Sequence, residues 1–542
     1  MWEAPRLHNE RTGRNLAPIR SQLELYFAPN EAALDPSQWG AWEECLSRRL
    51  TLVWGPPGTG KSRTLRAVIL GAVLDAVAGG RTLRLLVTAN TYTAVDNVLL
   101  GVEAELKALL PQKPYEIFRL QSKWRTEDSD LLARYPDVQN LILNRESPSD
   151  EIKDLRKRLE KPRGIVIVGC PPQQLHNLSL AGRTKRAAYT VRPWFDLTLI
   201  DEASQMDVAS STLVVSKVAD GGSCVIAGDD LQLPPIQQAE APKDLEYVVG
   251  STYNYFRRHH EITPSPLNVN YRSNGPLVRL TRVAGYSASL ESYSPDLKLR
   301  LLSSVPTARP ANWPADLFWT EDWAKLLDPE YPAVCVVYDD QLSSQVNDFE
   351  ADAVASLLWL LEGRLADKLD NERQPDGRVV GVGSNTPYSS QGFWDMAVGV
   401  VTPHRAQMAK VTRRLQQVFP SHSPDNIRSA VDTVERFQGQ QRDVVVASFG
   451  LGDPDIISAE DEFLYNLNRF NVLASRSRAK LIVFLTWSLL DHLSSDIDVL
   501  EESRLLKQFA YSFCADAGPV RLGFVKDGAE VAREGLLRHA GF

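Results

Sequence analysis

Residues 55–62 read GPPGTGKS, and no other stretch constrains the chain as strongly. They follow the apolar run Leu50, Leu52, Val53 and precede a segment in which Leu65, Val68, Ile69, Ala72 and Ala76 fall on one helical face. Strand, glycine-rich loop and helix form the context in which this spacing becomes a phosphate cradle. Gly55, Gly58 and Gly60 let the backbone turn its amides inward around Pro56, Pro57 and Thr59. The helix N-terminus adds about half a positive charge where phosphates would sit. Lys61 is expected to reach the β- and γ-phosphates of a nucleoside triphosphate, and the Ser62 hydroxyl to bind Mg²⁺.

A chain of 542 residues exceeds a single core, so about two to four domains are expected. With 60 Lys+Arg against 68 Asp+Glu the net charge is −8, so a nucleic-acid site has to be a local channel in a mildly acidic exterior. The five cysteines form no C-x-x-C, which speaks against a disulfide framework, a zinc site or an iron–sulfur cluster. No apolar run reaches membrane-spanning length, and the N-terminus is charged. The expectation is an intracellular, reducing location, the cytoplasm first and the nucleus second, with no membrane partner.

Upstream of the loop, LDPSQWGAWEECL reads as a helix capped by Asp35 or Ser37, with Gln38 at its start. A glutamine amide both donates and accepts, which suits the N6/N7 edge of adenine; a helix-starting glutamine otherwise simply faces solvent. Leu85, Leu86 and Val87 form a strand ending at Asn90 and Thr91. At the C-terminal end of a parallel strand these residues either hydrogen-bond nucleic-acid phosphates or cap the following helix. Residues 125–163 are polar and read as a small helical insertion with Ile152, Leu155 and Leu159 as its apolar stripe. The strand Leu197 to Ile200 ends in DEASQ. Asp201 is expected to hold Mg²⁺ and Glu202 to orient and deprotonate an attacking water. Val225, Ile226 and Ala227 run into GDDLQLPP, where Gln232 either senses the γ-phosphate or belongs to a polar turn.

GPPGTGKS, DEASQ and GDDLQLPP, in that order, resemble the phosphate-loop, magnesium and coupling motifs of superfamily-1 helicases. DEASQ and TANTYTAVDNVL are most similar to subgroup B, which contains the nonsense-mediated-decay RNA helicases and the replication nuclease-helicases. The resemblance makes Gln38 the adenine reader. LNVNYRSN resembles motif IV, which implies that Tyr271 stacks on adenine and Arg272 reaches the γ-phosphate. TPHRAQ, with Thr402 and Pro403, resembles a rim loop of the family. VDTVERFQGQQRD resembles motif V, which puts Thr433, Gln438 and Gly439 against the nucleic-acid backbone and the nucleotide. NRFNVLASRSR resembles motif VI and implies a second arginine finger at Arg476. Two departures stand out: Gln441 occupies a position usually held by an acid, and NVLASRSR replaces the usual NVALTRAR.

The fold implied is α/β, with two RecA-like P-loop NTPase domains built on parallel sheets. They are expected at residues 35–265 and 266–495, flanked by an N-terminal extension, 1–34, and a C-terminal helical tail, 496–542. The activity implied is ATP-dependent 5′-to-3′ movement on single-stranded DNA or RNA, with ATP and Mg²⁺ bound between the domains. The alternative is a nucleic-acid-stimulated ATPase switch that remodels a nucleoprotein complex without unwinding. Protein partners supplying further domains are compatible with both, and backbone-facing loops carry no code that selects DNA over RNA.

Overall fold

Strands that are continuously β-branched must be covered on both faces, and successive side chains then enter separate cores. The computed structural model, which describes residues 3–28, 33–124, 134–181, 192–235, 246–367, 369–373, 379–437 and 439–542, follows this rule closely. Contacts divide the chain into two units, Met1–Asn268 and Val269–Phe542.

Among the described residues the first unit has eight strands: β1 (Leu50–Trp54), β2 (Leu83–Thr88), β3 (Tyr115–Ser122), β4 (Val138–Leu143), β5 (Ile165–Gly169), β6 (Phe195–Ile200), β7 (Val218–Gly228) and β8 (Ser265–Pro266). Their order is β4-β3-β5-β2-β6-β7-β1-β8, and every pair is parallel. Leu85, Val87, Leu197, Leu199, Val225 and Ala227 point into one core. Leu86, Ile200, Cys224 and Ile226, their neighbours along the same strands, point into the other. The helices that matter here are α1 (Ala4–Asn9), α2 (Ala17–Phe27), α3 (Pro36–Ser47), α4 (Lys61–Ala78), α5 (Tyr92–Leu109) and α6 (Asp150–Glu160).

Within the expected N-terminal extension, Ile19, Leu23 and Phe27 of α2 pack in the core beside α4. One expectation for this unit needs correction. The stretch read as a helical insertion, described here from residue 134 onward, is a strand and a helix. β4 pairs in register with β3 and extends the sheet, burying Val138 and Leu143, while Ile152, Leu155 and Leu159 of α6 fill one core.

In the second unit, β9 (Val269–Asn270) pairs with β10 (Glu291–Ser292), and β12 (Asp370–Arg373) with β13 (Val379–Val382). The main sheet comprises β11 (Ala333–Tyr338), β14 (Val398–Thr402), β15 (Val431–Thr433), β16 (Arg442–Ser448), β17 (Ser477–Thr486), β18 (Asp516–Lys526) and β19 (Ala529–Ala540). Its order is β15-β14-β16-β17-β11-β19-β18, parallel as far as β11 and antiparallel beyond it. The expected helical tail is therefore helical only in part. A helix, Ile497–Gln508, leads into a hairpin whose turn places Asp527 and Gly528 at φ 51° and 79°. Two consecutive left-handed residues match the right-handed twist of the flanking strands. Val520, Leu522 and Phe524 alternate into the core.

A buried polar network fixes the loops at the C-terminal ends of β11 and β16. Glu350, near the start of α7 (Asp348–Leu361), accepts hydrogen bonds from the Tyr338 hydroxyl at 2.6 Å, the Ser448 hydroxyl at 2.6 Å and the Gly450 amide at 2.9 Å. The Gln407 amide donates to Ser448 Oγ at 2.8 Å, and its Oε1 accepts from the Asn347 amide at 2.9 Å. Complete burial pushes the Glu350 carboxyl up to about 7, against the pull of its three donors.

A carboxyl raised by folding contributes stability that is present below its ordinary value of 4.5 and lost as pH rises through about 7. Between pH 4.5 and 7 the wild-type unit should therefore lose up to about 3 kcal/mol from this group. Glu350→Gln should flatten that slope in urea unfolding midpoints measured at pH 5 and pH 8; an equal drop in both proteins would contradict the assignment.

Candidate functional site

The order of the first sheet puts one strand, β7, between β1 and β6. The loop after β1 and the acids after β6 thus open on the same rim, the edge where parallel sheets bind ligands. Gly58 and Gly60 adopt φ 79° and 74°. Gly60 is the left-handed cap of α4, and a Cβ there would lie 2.6 Å from Gln38 Nε2. Thr59 closes the turn, its amide and hydroxyl both donating to the Pro56 carbonyl at 3.2 and 2.8 Å.

Gln38 is fully buried beneath the loop. Its Nε2 donates to the Thr59 carbonyl at 3.0 Å, and its Oε1 accepts from the Asp35 amide at 3.2 Å within a capping box. The residue expected to read adenine therefore also braces the phosphate loop.

Lys61 and the acids form a compact cluster. Lys61 Nζ lies 2.9 Å from Glu202 Oε1 and 3.5 Å from Asp201 Oδ1. The Ser62 hydroxyl donates to Asp201 Oδ2 at 3.3 Å. Burial opposes charge on Lys61, but the Glu202 and Asp201 carboxylates outweigh it and raise the pKa of the ammonium well above its ordinary value. Asp201, 2% exposed, is pushed up by burial, with the Lys61 charge opposing. Glu202 holds φ 50°, a left-handed conformation that a side-chain residue adopts at a cost of about 1 kcal/mol or more.

Gln205 is a member of this cluster that the sequence reading did not single out. Its Nε2 donates to Glu202 Oε2 at 3.2 Å, and its carbonyl accepts from Asn90 Nδ2 at 3.2 Å, so it joins the β2 rim to the acid. Only its place in DEASQ pointed to it. Asn90 and Thr91 are both exposed, and Thr91 caps α5 by accepting from the Ala94 amide at 3.2 Å. Gln232 is buried on the β7 side of the rim and donates to Asp229 Oδ2 at 2.6 Å.

Within the second unit, Arg272 and Arg476 converge on Ser475. Arg272 Nη1 donates to the Ser475 carbonyl at 2.8 Å and its Nε to Gln441 Oε1 at 3.1 Å. Arg476, 2% exposed, donates through Nε to the Val472 carbonyl at 2.8 Å and through Nη2 to Ser475 Oγ at 3.0 Å. The glutamine that departs from the family pattern is thus a direct partner of Arg272, a role visible only in three dimensions. The Tyr271 ring lies 4.9 Å from that of Tyr293, inclined at 35°. Thr402 is buried and its hydroxyl donates to the His404 carbonyl at 3.0 Å, while Pro403 beside it is half-buried. Thr433 is buried, Gly439 adopts φ 85°, and Gln438 lies outside the described residues.

Two family models, each described as an AAA domain, match residues 33–162 and 250–486. The chain is 24% identical over 479 residues to the DNA replication ATP-dependent helicase/nuclease DNA2 of Saccharomyces cerevisiae, covering 86% of this chain and 26% of that protein. It is 24% identical over 540 residues to the DNA polymerase alpha-associated DNA helicase A of the same yeast, covering 93% and 71%. Of the solved structures, the DUF1998 helicase MrfA bound to DNA and AMPPNP is similar at TM-score 0.40 and 11% identity, over 90% of this chain and 52% of that one. The chain spans about a quarter to a third of the length of the yeast replication helicase/nucleases that it matches.

Two glycines separate the effect of backbone strain from that of the cradle. Gly60→Ala should displace Gln38 and weaken binding of a nucleoside triphosphate more than tenfold by calorimetry. Gly80→Ala, at φ 60° with open space around the added Cβ, should lower the melting midpoint while leaving that affinity intact. Equal losses of affinity would mean that Gln38 does not shape the loop.

Proposed function

We propose that this chain belongs to the superfamily-1B helicase group and is an ATP-dependent helicase or translocase moving 5′ to 3′ on single-stranded nucleic acid, a reading supported by the matching domain models and relatives. The observation that carries this reading is the cluster of Lys61, Ser62, Asp201 and Glu202 at the mouth of a glycine loop closed over Gln38.

Lys61 is assigned to the β- and γ-phosphates. Bound phosphates compete with Glu202 for its ammonium, and a carboxylate released from Lys61 is then available to accept a proton from water. Ser62 and Asp201 would hold Mg²⁺, which would supply positive charge against the phosphates. The fit is one of chemistry: a hydroxyl and a carboxylate oxygen 3.3 Å apart are hard donors, and Mg²⁺ takes few protein ligands beside phosphates and water. Gln205 fixes Glu202 from its other oxygen and links it to Asn90, so the geometry of the base follows the position of the β2 rim. Arg272 and Arg476 are assigned to the γ-phosphate and Tyr271 to the adenine by family resemblance alone. Gln232, Thr402, Pro403, Thr433 and Gly439 keep the roles that resemblance implies.

The wild-type protein should hydrolyse ATP faster with single-stranded DNA or RNA present, and should displace the complementary strand from a tailed duplex. Stimulated turnover without displacement would identify a switch instead of a helicase. Glu202→Gln should lower turnover by 10² or more while ATP binds at least as tightly, because the competing partner of Lys61 is gone. Lys61→Ala should lose both, and unchanged turnover in Glu202→Gln would remove Glu202 as the base.

A further inference from the structure

β3 and β4 end level with each other at the edge of the first sheet, Ser122 opposite Leu143. The segments that follow bring Lys123, Trp124 and Arg145, all exposed, onto the same rim as Asn90 and Thr91. Trp124 is 85% exposed, whereas Trp39, Trp42 and Trp194 of the same unit are at most 7% exposed. A single exposed indole is unremarkable by itself, but its setting is unusual. The Lys123 ammonium lies 4.9 Å from the ring centroid. The residues leading into it are tied down, the Ser122 amide donating to the Tyr92 hydroxyl at 3.0 Å and the Trp124 amide to Ser122 Oγ at 3.3 Å.

Beneath them Arg119, 2% exposed, donates to both oxygens of Asp96 at 2.6 and 2.8 Å. It also donates to Gln121 at 2.8 Å and Asn140 at 3.0 Å. One guanidinium therefore locks β3, β4 and the first turns of α5 together, immediately below the rim. The cost of ordering a stacking surface is met during folding, which is what preorganisation for a ligand requires. Lys123, Arg145, Asn90 and Thr91, the described residues named on this rim, are charged or polar, which suits an anionic strand better than a broad apolar protein contact. A flat π-face flanked by cations matches a nucleobase and its phosphates.

We propose that Trp124 is a base-stacking platform: a nucleobase of the single strand lies on its indole while Lys123 and Arg145 face the flanking phosphates. This rests on the reading that the chain binds single-stranded nucleic acid. The test is fluorescence anisotropy of wild type, Trp124→Ala and Trp124→Phe with labelled oligo-dT, oligo-rU and an abasic oligomer of equal length. Trp124→Ala should bind oligo-dT and oligo-rU on the order of tenfold more weakly, with an unchanged melting midpoint. Trp124→Phe should lose less than threefold, and on the abasic oligomer Trp124→Ala should match wild type. A loss on only one of the two strands would support the platform and name its ligand. Wild-type affinity in Trp124→Ala, or an equal loss on the abasic oligomer, would overturn the platform and leave the broader reading standing. If wild type binds none of the oligomers, both fall together.

Discussion

The ion pair between Lys61 and Glu202, 2.9 Å long and shared with Asp201, is the interaction on which the first unit turns. A lysine and an aspartate this deeply buried are tolerated only as partners, and removing one leaves a charge whose desolvation costs about 3–5 kcal/mol. Sheet order and core explain how they meet. β7 spaces the two strands that carry them, and alternation of side chains into two cores fixes the register of both strands, so the loop after β1 and the acids after β6 cannot slide apart. The pair also restrains the site it builds: while Lys61 holds Glu202, the carboxylate is a poor base. On the proposed reading, a phosphate group competing for the ammonium would convert the same residues from a resting arrangement to a reactive one.

The second unit organises its arginines differently. The partners of Arg272 and Arg476 described above are carbonyl, amide and hydroxyl oxygens. A neutral acceptor orients a guanidinium while cancelling less of its charge than a carboxylate would. Gln441, at a position that the family resemblance makes acidic, thus holds Arg272 through a neutral amide oxygen. Elsewhere in this unit charge is deeply committed: Glu350 sits in a closed network of donors that sets the loops after β11 and β16.

Features encoded as short contiguous spacings were legible in the sequence. The glycine loop, the DEASQ acids and the parallel strands ahead of them are local patterns whose chemistry follows from residue type and order. Features that depend on which elements become neighbours were not. Nothing in the spacing shows that Gln205 joins Asn90 to Glu202, that Gln441 meets Arg272, or that Arg119 of β3 pairs with Asp96 of α5. The C-terminal hairpin is a different kind of miss. Asp527-Gly528 is a strong hairpin turn signal and Val520, Leu522 and Phe524 alternate, yet the preceding helix, Ile497–Gln508, dominates a coarse reading of the region. For Thr91, both roles open in the sequence are chemically compatible, since a hydroxyl that caps α5 as an acceptor keeps its proton to donate to a phosphate.

The proposed function depends on the exchange of partners by Lys61, and a structure of the protein with a non-hydrolysable ATP analogue and Mg²⁺ tests that exchange directly. The predicted result is Lys61 Nζ on the β- and γ-phosphate oxygens, with Glu202 beyond ion-pair distance and facing a water in line with the γ-phosphate. Retention of the 2.9 Å contact between Lys61 and Glu202 with the analogue bound would contradict it.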